Sequence, residues 1–176
     1  MITVKDPDDR ASEAYSKVTG KYWIEALKDG RHVLIRQLTE KDREREYSFI
    51  KQLCPESRHM RFLTQINDPG NKQCLAYIAL VHENGQLIEI GVSRYVATGE
   101  YKCECTVTVA DQWKHLGLGT LLMAHLIRAA RKNRFHQMYA VDASSNAPMR
   151  ELARSLGFET RNDPFDTRQV IHGLYL

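Results

Sequence analysis

The chain has 176 residues, of which 43% are hydrophobic and 27% are charged. These values are typical of one compact globular domain and exclude a disordered or collagen-like chain. The net charge of +3, from 25 basic and 22 acidic side chains, is too balanced for a dedicated nucleic-acid binder, although it allows a small anionic ligand. The longest apolar run, residues 74–81, is far shorter than the ~20 residues that cross a bilayer. The first ten residues also lack the positive start of a signal peptide. We therefore expect a cytoplasmic protein with neither a membrane nor a nucleic acid as partner.

The four cysteines are Cys54, Cys74, Cys103 and Cys105. Their spacing fits neither paired CxxC zinc motifs nor the dense disulfide framework of a small secreted domain. Cys103 and Cys105 would share one face of an extended strand, where they could bind a metal or pack as small buried hydrophobes. We favour packing, and expect no bound metal.

The first third of the chain predicts helix, strand and helix. Helical spacing of apolar residues predicts a helix over 8–29, ended by Asp29 and Gly30. Residues 1–31 are therefore interpreted as a helical extension before a main domain at 32–176. That domain begins with a predicted strand over 32–38, and Thr39 is a suitable cap for a helix over 40–53. A helical turn over 55–62 and a turn at 68–71 follow.

The middle of the chain predicts an antiparallel meander. Three strand-like runs, 74–81, 86–96 and 101–110, are separated by short clusters of turn-forming residues.

The last third predicts two helices alternating with strands. A helix from Gly117 to about Arg131 leads by a parallel crossover to a strand over 137–143. Ser145 and Asn146 can cap the next helix, which Gly157 ends before the closing strands. The order of elements predicts an α+β fold with a mixed, mostly antiparallel sheet flanked by helices.

The sequence KHLGLGT (residues 114–120) lies between a predicted strand and a predicted helix. Unpaired backbone N–H groups and the positive end of the helix dipole can hold a phosphate there, although a plain turn without a ligand is the alternative. The spacing fits neither of two common phosphate loops. The glycine–lysine–hydroxyl series of a P-loop does not occur, and Leu122 stands where a dinucleotide fingerprint has its third glycine. A phosphate site of another geometry remains.

Two motifs resemble the GNAT superfamily of N-acetyltransferases. Lys114-x-x-Gly117-x-Gly119 is similar to the superfamily's Q/R-x-x-G-x-G/A acetyl-CoA signature, and Asn146 followed by the LGF of residues 156–158 is similar to its downstream segment. The stretches VLIRQLTEKD, LCPESRHMRF, GVSRY, ECTVTVADQWKHLGLGTLL and N-x-x-M-x-x-L-A further resemble the acetyltransferase domain of bacterial protein lysine acetyltransferases. The likeness runs from about His32 to the end. It implies the GNAT fold, in which splayed central strands bind acetyl-CoA.

The resemblance also implies roles for individual residues. The strand at 107–109 would pair its backbone with the pantetheine arm, the amides of residues 115–120 would hold the pyrophosphate, and Asn146 would contact the cofactor from the other lip. Glu104 would be the general base. The implied cofactor-binding residues are Val107, Val109, Lys114, His115, Leu116, Gly117, Leu118, Gly119, Thr120 and Asn146.

Two positions depart from the family pattern. Lys114 replaces the usual Gln or Arg but keeps the positive charge. Ala153 stands where many relatives have a tyrosine that protonates the leaving thiolate. No proton donor is therefore assigned, and water is the alternative.

The expected reaction is direct acetyl transfer from acetyl-CoA to a primary amine. A lysine amine with a pKa of about 10.4 is protonated at neutral pH, so a base must take its proton, either directly or through a water. A backbone amide near Val107 or Val109 would stabilise the oxyanion. Glu104 could instead be a charged residue on a solvated strand face, and a cysteine nucleophile is a less favoured mechanism.

The acceptor is open at this stage. A protein lysine is favoured, and the alternatives are a small-molecule amine, such as a polyamine or antibiotic, and a non-catalytic acyl-CoA-binding regulatory module. A homodimer is also compatible with the sequence.

Overall fold

The computed structural model describes residues 21–54 and 74–176. Within these ranges the strands are β1 (Tyr22–Ala26), β2 (His32–Gln37), β3 (Cys74–Glu83), β4 (Gln86–Ala97), β5 (Lys102–Val109), β6 (Gln137–Ala143), β7 (Glu159–Asn162) and β8 (Gln169–Tyr175). The α-helices of the same ranges are α1 (Arg43–Gln52), α2 (Leu118–Lys132) and α3 (Ala147–Ser155). Short 3-10 turns at Glu40–Asp42 and Asp111–Trp113 precede α1 and α2.

All the strands belong to one sheet in the order β1-β2-β3-β4-β5-β6-β8-β7. Neighbouring strands are antiparallel except β5 and β6, which are parallel. The helix α2 makes the crossover between those two strands, as parallel pairing requires. The predicted α+β fold with a mixed, mostly antiparallel sheet is confirmed.

The predicted helix over 8–29 is wrong at Tyr22–Ala26, which form β1 and pair with β2. Trp23 and Glu25 are half-buried whereas their neighbours in β1 are exposed, which is the two-residue alternation of an edge strand. Each residue of this segment pairs with a residue of β2, and this pairing fixes the segment as a strand. Residues 8–20 of that prediction lie outside the described residues. The division of the chain at residue 31 stays a prediction, although a cut there would separate β1 from its partner.

The other predicted elements within the described ranges are confirmed, except that the helix expected over 40–53 starts as a 3-10 turn after Thr39 and is α-helical only from Arg43. Residues 74–97 and 102–109 form the meander, and α2 and β6 lie where the periodicity placed them. Asn146 caps α3 by accepting a hydrogen bond from Met149 N at 3.2 Å, and Gly157 ends it with φ +84°. The predicted turns at 55–62 and 68–71 lie outside the described residues.

The two faces of the sheet have separate apolar cores. The helices α2 and α3 cover one face, where Leu122 and Leu126 of α2 and Ala153 of α3 are buried. The other face holds a smaller cluster around Phe49 of α1 and Ile78 of β3. Within the described ranges, no helix is long and apolar enough to cross a membrane.

Candidate functional site

The parallel strands β5 and β6 separate partway along their length. They pair only where Lys102–Glu104 lies beside Gln137–Tyr139. Beyond this point β5 stays paired with β4 as far as Val109, and β6 stays paired with β8 as far as Ala143. A V-shaped gap therefore opens in the sheet, with Glu104 and Tyr139 at its apex.

On the β5 side of this gap, the backbone has N–H and C=O groups to which an extended ligand could hydrogen-bond. Ala110 N donates to Ile90 O of β4 at 2.8 Å. Because alternate residues of an antiparallel strand face the same neighbour, the N–H and C=O groups of Val107 and Val109 face the gap. Their side chains pack against the α2 core. An extended ligand arm in the gap could hydrogen-bond to these groups in the manner of a strand.

The predicted phosphate turn lies at the open end of the gap. The chain passes from β5 through Asp111–Trp113 into a loop with left-handed backbone at His115 (φ +63°) and Gly117 (φ +86°). The helix α2 then begins at Leu118, with no side chain capping it. The first N–H groups of a helix have no partner within the helix, so those of Leu118, Gly119 and Thr120 are available to an anion. Residues 115–120 thus form the turn between β5 and α2, and their role in holding a diphosphate stays a prediction.

Gly119 is in close contact with two other elements. A Cβ atom there would lie 3.4 Å from Leu152 Cδ2 of α3 and 3.9 Å from Val109 Cγ2. These are ordinary van der Waals distances. The start of α2 therefore packs between the end of β5 and α3, with room for little more than a methyl group.

Lys114 holds an ion pair at the base of the turn. Its Nζ lies 2.5 Å from Asp111 Oδ1. The hydrogen bond from Lys114 is the main cause that lowers the pKa of the Asp111 carboxyl. The positive charge expected at this position is therefore present, and it is paired with the carboxylate of Asp111.

Glu104 is half-buried and faces away from the cysteines of its strand. Cys103 and Cys105 are buried on the α2 face, so Glu104 between them projects to the opposite face, on which α1 lies. Tyr139 Oη donates a hydrogen bond to Glu104 Oε2 at 3.4 Å. Burial raises the pKa of Tyr139, which keeps the phenol a donor. Sequence reasoning missed Tyr139, because only the β5–β6 register places it beside Glu104.

Asn146 lies directly before α3, and Ala153 lies on that helix. The Asn146 side chain caps its own helix, so a contact with a cofactor stays a prediction. Ala153 is buried in the α2 core and offers no proton donor.

A buried carboxylate lies near the end of β6. The Asp142 residue is 5% exposed, and its Oδ2 has no hydrogen-bond partner among the described residues. Burial raises the pKa of Asp142 to about 6.

The cysteines have the properties of packing residues. Burial raises the pKa of Cys103 to about 12, and burial raises that of Cys105 as well. A thiol is a poor nucleophile without its thiolate form. Among the described residues, no group of three or more His, Cys, Asp or Glu side chains is arranged to hold a metal ion.

Comparison with known proteins identifies the family. The model of the acetyltransferase (GNAT) family matches residues 34–158. The chain is 50% identical over 177 residues to Acetyltransferase PA5475 of Pseudomonas aeruginosa, with 94% of this chain and 95% of that protein covered. The chain therefore belongs to the GNAT family, and it is an acetyltransferase.

Solved structures share the fold. The GNAT domain of S. lividans PAT superposes with a TM-score of 0.75 at 20% identity, covering 88% of this chain and 97% of that one. The ribosomal-protein-alanine N-acetyltransferase of Brucella melitensis superposes with a TM-score of 0.60 at 21% identity, covering 81% and 99%.

Proposed function

We propose that this acetyltransferase uses acetyl-CoA to acetylate a primary amine, with a protein lysine as the favoured acceptor. The observation that carries the proposal is the separation of β5 from β6 beyond Glu104. The gap has a backbone edge for an extended acyl carrier, an anion-binding helix start at its open end and a carboxylate at its apex. Those three features match the shape and charge of acetyl-CoA from the pantetheine arm to the diphosphate.

Different parts of the gap bind different parts of acetyl-CoA. The pantetheine arm lies along β5 and exchanges hydrogen bonds with the backbone of Val107 and Val109. The diphosphate lies against the amides of residues 115–120, where the dipole of α2 favours negative charge. The thioester then points toward the apex and Glu104.

The chemistry needs a base and a site for developing negative charge. Deprotonating a lysine of pKa about 10.4 at pH 7 costs about 5 kcal/mol. Glu104 takes this proton, directly or through a water. The amine nitrogen attacks the thioester carbon, and a backbone N–H at Val107 or Val109 stabilises the oxyanion. The C–S bond breaks, and the proton that the nitrogen loses as the amide forms passes through water to the thiolate of CoA, because position 153 is alanine.

The favoured acceptor rests on the likeness of five stretches to bacterial protein lysine acetyltransferases: VLIRQLTEKD, LCPESRHMRF, GVSRY, ECTVTVADQWKHLGLGTLL and N-x-x-M-x-x-L-A. A small amine would use the same base and the same cofactor site, so the acceptor has to be identified by assay.

Two measurements test the proposal. Calorimetry with acetyl-CoA should show binding to one site, and acetyl transfer should be faster to lysine-containing proteins and peptides than to polyamines or aminoglycosides. Faster transfer to a small amine would replace the acceptor, and binding without transfer to any amine would indicate a regulatory module. No binding of acetyl-CoA would overturn the proposal.

A further inference from the structure

The turn between β1 and β2 packs against the phosphate turn. Lys28 N donates a hydrogen bond to Leu116 O at 3.1 Å. Three residues later, the guanidinium of Arg31 lies 3.9 Å from the centre of the Trp113 ring. These contacts join a segment before residue 32 to the loop that leads into α2.

The side chain of Lys28 lies directly beside Gly117. A Cβ atom at Gly117 would be 3.6 Å from both Cγ and Cε of Lys28. The ammonium nitrogen is one bond beyond Cε, so its charge is close to Gly117, the residue directly before α2. The Lys28 side chain is exposed at the surface, where a ligand can reach it.

The charges around Lys28 leave its ammonium available to a ligand. The nearest acid in sequence, Asp29, forms an ion pair with Arg31 at 2.7 Å. On the other side of the contact, Asp111 is paired with Lys114. Within residues 21–54 and 74–176, no carboxylate forms a salt bridge with Lys28.

We propose that Lys28 is a cofactor-binding residue that contacts the diphosphate of acetyl-CoA at the start of α2. The inference rests on the proposed function and adds to it a residue from outside the motif. A full positive charge beside open N–H groups strengthens anion binding, because hydrogen bonds to charged groups are stronger than neutral ones. The backbone bond to Leu116 and the contact of Arg31 with Trp113 fix the turn, so the lysine needs little ordering when the ligand binds.

The test compares acetyl-CoA affinity by calorimetry in wild type, Lys28→Met, Lys28→Arg and Lys132→Met. Lys132 is the matched control, because it is also an exposed lysine but lies at the C-terminal end of α2, far from the proposed diphosphate site. Lys28→Met should bind acetyl-CoA roughly two- to fivefold more weakly, as expected for loss of one partly screened ion contact. Lys28→Arg should keep most of the affinity, and Lys132→Met should equal wild type. The difference between Lys28→Met and wild type should shrink as salt is raised.

Two acetyl donors that lack parts of acetyl-CoA identify which phosphate group Lys28 contacts. The defect of Lys28→Met should persist with 3′-dephospho-acetyl-CoA and vanish in acetyl transfer from S-acetylpantetheine, which lacks the diphosphate. A defect that vanishes with the dephospho form would move the contact to the 3′-phosphate and overturn the assignment. Equal affinity of wild type and Lys28→Met, in folded proteins that both bind acetyl-CoA, would overturn the inference alone. A wild type that does not bind acetyl-CoA would instead contradict the proposed function.

Discussion

Tyr139 Oη of β6 donates a hydrogen bond to Glu104 Oε2 of β5 at 3.4 Å. These two residues are the last pair in register before the strands separate. The bond joins the proposed base to the opposite wall of the gap. Tyr139 in turn lies beneath the ammonium of Lys102, 4.6 Å from the ring centre. The carboxylate is therefore oriented by a group that does not itself take a proton from the substrate.

Replacing Glu104 by Gln should lower turnover at pH 7 by about 10²- to 10⁴-fold, because the change removes the base and keeps its shape. Acetyl-CoA affinity should stay near that of wild type. The loss should diminish as the pH approaches the pKa of the amine, where the acceptor needs less help to lose its proton. Steady-state rates between pH 7 and 10, with calorimetry of the same proteins, measure both effects. Full activity of the variant at pH 7 would contradict the role of Glu104.

Replacing Tyr139 by Phe should lower turnover only about fivefold, because the hydrogen bond is long and the base remains. The effect should disappear when the same change is made in Glu104→Gln, since the two residues act through one interaction. Turnover of wild type, Tyr139→Phe, Glu104→Gln and the double variant measures this coupling. Independent, multiplicative losses would show that Tyr139 acts apart from Glu104.

Replacing Gly119 by Val should weaken acetyl-CoA binding by about tenfold or more, because its methyl groups would press on Leu152 and Val109 and displace the start of α2 from the end of β5. Gly119→Ala should fold normally and weaken binding less, since a Cβ atom there makes only ordinary contacts with Leu152 and Val109. Gly99→Val is the control, because its Cβ atom would meet only Lys102, at 4.0 Å. Unchanged affinity in folded Gly119→Val would refute the phosphate turn.

Changing both Cys103 and Cys105 to Ala should leave most of the activity, because the buried thiols have raised pKa values and serve as packing. Direct attack requires both substrates to be bound together, so initial-rate lines at several acceptor concentrations should intersect. The double variant should lose stability, as large-to-small core changes do. Parallel lines together with an inactive, folded double variant would establish a thiol-borne intermediate instead.

Replacing Asp142 by Asn should stabilise the protein in a pH-dependent way. Burial raises the pKa of Asp142 from 3.8 to about 6, so the folded state binds this proton more tightly than the unfolded chain. The stability that protonation contributes is complete below about pH 4 and is lost as the pH rises through about 6, by at most about 3 kcal/mol. The free energy of unfolding of Asp142→Asn relative to wild type should therefore rise between pH 4 and pH 8. Denaturant titrations at both pH values measure it, and a constant difference would contradict this origin.

Local patterns predicted most of the fold because each carried its own physical signal. Alternating apolar residues marked the meander, and helical spacing together with Asn146 and Gly157 marked α2 and α3 with their ends. The segment 22–26 was misread because it is short and its structure comes from pairing with β2. The motif located residues 115–120, but Tyr139 and Lys28 reach the site only through strand register and the packing of one turn on another. Such long-range contacts leave no local pattern in the sequence.

The pairing of β1 with β2 has a consequence for where the protein can be shortened. Val33, Leu34 and Ile35 are fully buried, and β1 covers the outer edge of the strand that contains them. A fragment starting at residue 32, close to where the family match begins, would turn this apolar strand into an open sheet edge. Unpaired edges of that kind join to one another, so such a fragment would self-associate. It would also lose Lys28 and Arg31 from the side of the phosphate turn.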